Sequence, residues 1–115
     1  MIKKQADNAL PIVKAEVLER IGGDESFLQE LLTLYFEEFA EKTKILDTEI
    51  QKKNFAAIQE LGHNLKGASA NLSLPALQAA AYDMEFAGRE KKIEKAQAAL
   101  AALKKEFKIL KEYLG

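Results

Sequence analysis

FAAIQELGHNLKGASANL, residues 55–72, has two faces that differ in kind. Set out at about 100° per residue, Ile58, Leu61, Leu65, Ala68 and Leu72 fall in one narrow arc, as in a helix with one side in a core. His63, the only histidine of the chain, lies roughly 160° from Leu65 on that projection and so belongs to the wet face. Lys66 and Gly67 follow it by one helical turn, with Ala56 and Ala70 close by. A cation stands beside the ring, and small residues leave its approach open. Such surroundings present a histidine to another molecule instead of burying it.

Outward from this stretch the chain reads as helix throughout. After a frayed start over residues 1–10, Pro11 suits a first helical turn, and Val13, Val17, Leu18 and Ile21 give a short amphipathic segment that stops at Gly22 and Gly23. Asp24 can cap the next helix. From Glu25 to about Lys52, Leu28, Leu31, Leu32, Tyr35, Phe39, Leu46 and Ile50 recur at helical spacing over a length no strand sustains. Lys53 and Asn54 make a tight break before the histidine helix, Phe55 to Asn71. Ser73 is placed to cap a fourth helix with Pro75 in its first turn. That helix carries Leu77, Ala80, Ala81, Met84 and Ala87 on one side and is expected to end near Gly88. In a fifth, Ile93, Ala96, Leu100, Leu103, Phe107, Leu110 and Leu114 alternate steps of three and four, the seam of a helix packed alongside others. Short connections make successive helices antiparallel neighbours. The expected fold is all-α: one domain over residues 1–115, an up-and-down antiparallel four-helix bundle with a short additional N-terminal helix across one end.

The long second helix has a wider apolar arc than one core stripe needs. Phe27 and Leu34 lie about 80–100° to one side of Tyr35, and Phe36 a similar angle to the other. Either this helix meets neighbours on both sides, or one flank is a docking patch.

Composition excludes several classes. Lys and Arg number 17 against 18 Asp and Glu, so no basic field points to nucleic acid and no acidic run to a solvating tail. Without cysteine there is neither disulfide nor thiol chemistry. No stretch approaches the ~20 apolar residues of a membrane span, and the N-terminus lacks the apolar core of a signal peptide. The chain is expected to be a cytoplasmic monomer. No G-x-x-x-x-G-K-[ST] or G-x-G-x-x-G loop is present to bind ATP.

His63-Asn64-Leu65-Lys66-Gly67-Ala68-Ser69 resembles the H-x-L-K-G-[AS]-[AS] signature of histidine phosphotransfer (HPt) domains, the helical intermediates of multistep phosphorelays. The resemblance extends to LERIGGDESFLQELLTLYF at 18–36, to Phe55–Gly62, and to Leu77, Met84, Glu85 and Gly88, with the last helix agreeing in pattern only. The family usually has glycine in place of Ser73, and alanine is commoner than Gly62, where glycine within a helix costs about 1 kcal/mol.

The resemblance implies a phosphoryl carrier, phosphorylated on His63 Nε2 while a neighbouring acceptor holds Nδ1, for which Glu85 is a candidate. Lys66 would neutralise phosphoryl oxygens, and Gly67 would let the partner's active site approach. Arg89 stands where some members have a second cation. The partners implied are a response-regulator receiver domain and a hybrid sensor histidine kinase. Mg²⁺ would be carried by the receiver, with no cofactor or metal on this chain. The docking face implied comprises Val13, Val17, Leu31, Leu34, Asn64 and Gly67. An imidazole suits the task, since a free histidine titrates near pH 6.5 and is a nucleophile when neutral.

Two other readings remain. Glu60-x-x-His63 fits the i, i+3 pair of di-iron bundles, but that site needs a second such pair, and the chain has one histidine. A helical-bundle adaptor that binds a receiver or another partner without being phosphorylated shares every packing feature with the carrier.

Overall fold

A computed structural model describes residues 10–115; the stretch read as a frayed start lies, but for Leu10, outside the described residues. It contains α1 (Lys14–Arg20), α2 (Glu25–Gln51), α3 (Phe55–Asn71), α4 (Pro75–Glu90) and α5 (Ile93–Leu114), with no strand among the described residues. The main helices pack in antiparallel contacts, α2 on α3, α3 on α4, α4 on α5, and α5 back on α2, with α1 as a short N-terminal helix.

The boundaries follow local chemistry. Asp24 accepts a hydrogen bond from Phe27 N at 3.0 Å and so caps α2. Asn54 caps α3 by accepting from Ala57 N. Lys53 turns through a left-handed φ of 56° between them.

Two expectations are corrected here. Pro11 precedes α1 instead of entering it, because the helix begins at Lys14 behind Val13. Ser73 does not cap α4. Its φ of 56° is the left-handed conformation that a glycine would supply, and the N-cap is Leu74, without a side-chain bond. α4 ends at Glu90, near Gly88 as expected, and closes on Lys91 at a φ of 57°.

The core follows the predicted stripes. Leu28, Leu32, Tyr35, Phe39, Leu46 and Ile50 of α2 meet Ile58 and Leu65 of α3, Leu77, Ala81 and Met84 of α4, and Leu103 and Leu110 of α5. Phe39 stacks on Phe107 with centroids 4.0 Å apart, while Phe36 meets the same ring edge-on at 5.3 Å. Phe36 is therefore the inward flank of α2. Leu34, 61% exposed, and Phe27 form the outward one.

Buried polar groups tie the layers. The hydroxyls of Tyr35 and Ser69 share a hydrogen bond of 2.7 Å between α2 and α3. Burial pushes the Tyr35 phenol up to about 12, despite the Ser69 bond, so it keeps its proton throughout the physiological range. Arg20 fixes α1 to the end of α3: its Nη2 donates to Asn71 O at 2.7 Å and to Ser73 Oγ at 2.6 Å, opposite the negative end of the α3 dipole. Val13 N donates to Ser73 O at 2.9 Å beside it.

The tightest packing is between α3 and α4. A Cβ added to Gly62 would stand 2.4 Å from Glu85 N, and one added to Gly88 would stand 2.4 Å from Gln59 N. The two helices thus meet backbone to backbone at two reciprocal points three residues apart on each. Gly62 is required by this approach, which the helix-propensity cost of glycine alone does not reveal.

A pair of substitutions separates these effects. Gly62→Ala gains about 1 kcal/mol of helix propensity but overpacks the crossing, at a cost of about 1–3 kcal/mol, and is expected to lower the urea midpoint. Gly67, with open space at its Cβ position, should give the opposite: Gly67→Ala raises stability by up to about 1 kcal/mol. Equal effects of the two would deny the close crossing.

Candidate functional site

The α3–α4 crossing sets the geometry around His63. The ring is on the open side of α3, its side chain 64% exposed. Because the backbones of Gly62 and Glu85 touch, the Glu85 side chain rises directly beside the residue after Gly62. Its carboxylate is nearly buried, 11% exposed, and lies between two partners: Oε2 is 3.1 Å from His63 Nδ1, and Oε1 is 2.7 Å from Lys66 Nζ. Among the described residues Oε1 has no other partner, and it is closed to water.

Charge and tautomer follow. The Lys66 ammonium holds the Glu85 carboxyl below its ordinary value, and the His63 bond adds to this, while burial pushes the other way. Glu85 is therefore ionised at neutral pH and can only accept hydrogen bonds. The proton between it and the imidazole must then be on Nδ1. Donating there leaves the lone pair of Nε2 free, on an exposed ring.

Lys66 is also placed over the Tyr82 ring, 5.7 Å from its centroid. Gly67 is exposed and has nothing within 4 Å of a built Cβ, so the surface beside the imidazole is flat. Asn64 is exposed on the same side. Arg89 is not brought to the imidazole: its guanidinium lies over Phe86 at 5.5 Å, and its Nε is 3.8 Å from Glu90.

Beyond Gly67 the surface opens into a groove of about 750 Å³ between α1, α2 and α3. Ile21, Leu31, Leu34, Tyr35, Ala68 and Leu72 supply its apolar lining, and Arg20, Glu37, Glu38, Glu41 and Asn71 its polar one. Of the residues expected on a docking face, Leu31 and Leu34 line it, and Val13 is half-buried near the end of α3. Val17 is a correction: it is fully buried as the residue that seats α1 on the core, so it offers no surface. Among the described residues no cluster of three or more His, Asp or Glu side chains is gathered for a metal, and no helix is long and apolar enough to cross a membrane.

With a solvent-facing histidine, an acidic orienter and a neighbouring cation on a bundle helix, the relationship can be stated. The chain matches the Hpt domain family over residues 30–113. It belongs to that family. The match starts within α2, so the GGDE turn at 22–25 lies outside it, and it takes in α5, which resembles the family in pattern only. A comparison with individual curated proteins gives no significant match. As an Hpt domain the chain has a phosphotransfer role in a phosphorelay; such domains are phosphoryl carriers that interact with receiver domains and kinases and are not themselves kinases.

Two residues of this Hpt domain carry no signal in the sequence pattern. Arg20 reads as a surface charge, and Ser69 as a small residue of the signature, yet one pins α1 and the other ties α3 to α2. Their roles depend on partners fifty-one and thirty-four residues away, beyond what periodicity can report.

The pairing of Glu85 has a pH signature. A carboxyl whose folded value is depressed contributes stability above its ordinary value, about 4.5, and that contribution disappears as pH falls through the folded value. Glu85→Gln is therefore expected to be less stable than the unaltered protein near pH 7, the gap narrowing at lower pH. Urea midpoints between pH 3 and 7 measure it; a gap independent of pH would mean that Glu85 is not held ionised by Lys66 and His63.

Proposed function

We propose that the phosphoryl group is carried on Nε2 of His63. The observation that supports this most directly is the 3.1 Å bond from Nδ1 to a buried, ionised Glu85, which leaves Nε2 as the nucleophilic atom on the open side of the ring. The donor on this reading is the phospho-aspartate of a receiver domain. The Nε2 lone pair forms a bond to phosphorus as the phosphorus–oxygen bond of the acyl phosphate breaks, and the aspartate leaves as carboxylate. The proton stays on Nδ1, so the phosphorylated ring is cationic and Glu85 sits against it as counter-charge. Transfer to a second aspartate is the same step reversed.

Lys66 serves the phosphoryl oxygens. Its ammonium is within reach of the imidazole through Glu85 and is free to divide itself between that carboxylate and a new dianion. Gly67 keeps the approach clear for in-line geometry, where small displacements are costly. Mg²⁺ belongs to the receiver and not to this chain, and His63 needs no base beyond the orientation Glu85 gives it. The groove lined by Leu31 and Leu34, together with the exposed Gly67 and Asn64 on α3, is the face on which the receiver docks. Its Leu34 is a large apolar side chain left 61% exposed, the kind of residue that interfaces use.

The acceptor is tested by phosphotransfer from a labelled receiver domain. His63→Gln should remove the acid-labile, base-stable label with the helical circular dichroism unchanged, since the ring is exposed. Glu85→Ala should slow acceptance by roughly 10- to 100-fold, the scale of a lost fixed approach, and Glu85→Gln by less, because its amide oxygen can still accept from Nδ1. Label retained by His63→Gln would disprove the assignment and favour a non-phosphorylated adaptor.

The docking face is tested separately by calorimetry. Leu34→Asp should weaken receiver binding by about 1 kcal/mol or more, as the loss of an apolar interface contact does, while leaving the unfolding midpoint within about 0.5 kcal/mol, as for most surface changes. Unaltered affinity would place the receiver elsewhere.

A further inference from the structure

Lys66 stands on a flexible four-carbon stem, and on a helix surface such a side chain has several rotamers to choose from. Two contacts choose for it. Glu85 Oε1 takes the ammonium at 2.7 Å, and the ring of Tyr82 lies 5.7 Å from it, inside the range of a cation–π attraction. Tyr82 precedes Glu85 by three positions on α4, so the two side chains reach α3 from the same side. The ring is braced in turn. Phe86 stacks against it with centroids 6.5 Å apart, and the Arg89 guanidinium lies over Phe86. Cation, ring, ring and cation thus run in series along α4, beginning at the edge of the His63 site.

Tyr82 lies outside the buried core. It is 47% exposed, and its hydroxyl makes no hydrogen bond among the described residues. Its one contact with a group of the site is Lys66.

We propose that Tyr82 is a positioning residue for Lys66, its ring holding the ammonium where it can reach a phosphoryl group on His63. The proposal rests on the assignment of His63 as acceptor. Once His63 is phosphorylated, Glu85 keeps its bond to Nδ1, and the phosphoryl oxygens compete with Oε1 for the ammonium. The aromatic face keeps the stem from swinging into solvent during that exchange, and it does so through the π-system alone. The hydroxyl is dispensable.

The test needs no partner protein. Phosphoramidate, a small phosphorus–nitrogen donor, phosphorylates the domain directly: Nε2 bonds to phosphorus as the donor's P–N bond breaks and ammonia leaves. Loss of phosphohistidine is followed by ³¹P NMR, and the ring-current shift on the Lys66 ε-methylene by ¹H–¹³C correlation. Tyr82→Leu is expected to abolish the ring-current shift and to hasten hydrolysis about two- to five-fold, the ratio that a cation–π contact at an exposed site supplies. Tyr82→Phe should match the unaltered protein in both. In a Lys66→Ala background, Tyr82→Leu should have no further effect. An unchanged lifetime in Tyr82→Leu overturns the proposal, as does a loss of equal size in Tyr82→Phe or an effect that persists without Lys66. Failure of phosphoramidate to label His63 would instead overturn the acceptor assignment, and the ring-current shift alone would then decide whether Tyr82 holds Lys66.

Discussion

Everything at the His63 site depends on how closely α3 and α4 approach. Gly62 lies against the backbone of Glu85, and Gly88 lies against the backbone of Gln59. At an ordinary interaxial distance of about 8–10 Å, side chains fill the space between helices, and a glutamate from one could not lie under the ring of the other. With both glycines bare, the carboxylate of Glu85 emerges between His63 and Lys66, in contact with both. A position that reads as a small helix-propensity penalty is therefore what allows a buried acid to serve an exposed base.

Burial then makes the acid effective. A carboxylate in water would hold His63 weakly and briefly; at 11% exposure, with Oε1 dependent on a single ammonium, Glu85 has few alternatives. The Coulombic attraction is stronger there than in bulk solvent, and the cost of desolvating the acid is met only while both partners stay in place. The imidazole is thus oriented without being buried. Its Nδ1 edge belongs to the protein and its Nε2 edge to solvent.

How much of this is legible in the sequence depends on the range of the interaction. The helices, the Asp24 cap and the outward face of His63 follow from periodicity and local chemistry, which act within a few residues. The exposed flank at Leu34 does not, since periodicity leaves it undecided against Phe36. That choice was made by Phe107, on another helix. Residues whose meaning is set by distant partners were misread or silent. Gly88 reads only as a helix stop but is also a packing surface; Ser73 reads as a cap but supplies a left-handed turn whose hydroxyl receives Arg20; Val17, placed on the docking face by the resemblance, is interior. The family resemblance pointed to Glu85 as the holder of Nδ1, and the geometry brings the two together. It also pointed to Arg89, which instead joins the aromatic ladder.

The site is therefore two-sided. Toward α2 the surface is grooved, with Leu34 exposed and an apolar lining rimmed by Arg20, Glu37, Glu38 and Glu41. Toward α4 it is electrostatic, with Lys66 in contact with both Glu85 and the Tyr82 ring. Gly67 lies between them as bare backbone. Because the two sides share no side chain, affinity for a partner and the handling of charge on His63 can vary independently, as expected for distant positions without common partners. If His63 is the acceptor and the receiver docks on the α2 side, as proposed, a carrier that must release its partner after each transfer gains from that separation: the docking contact can stay weak without loosening the geometry that holds the imidazole and its neighbouring cation.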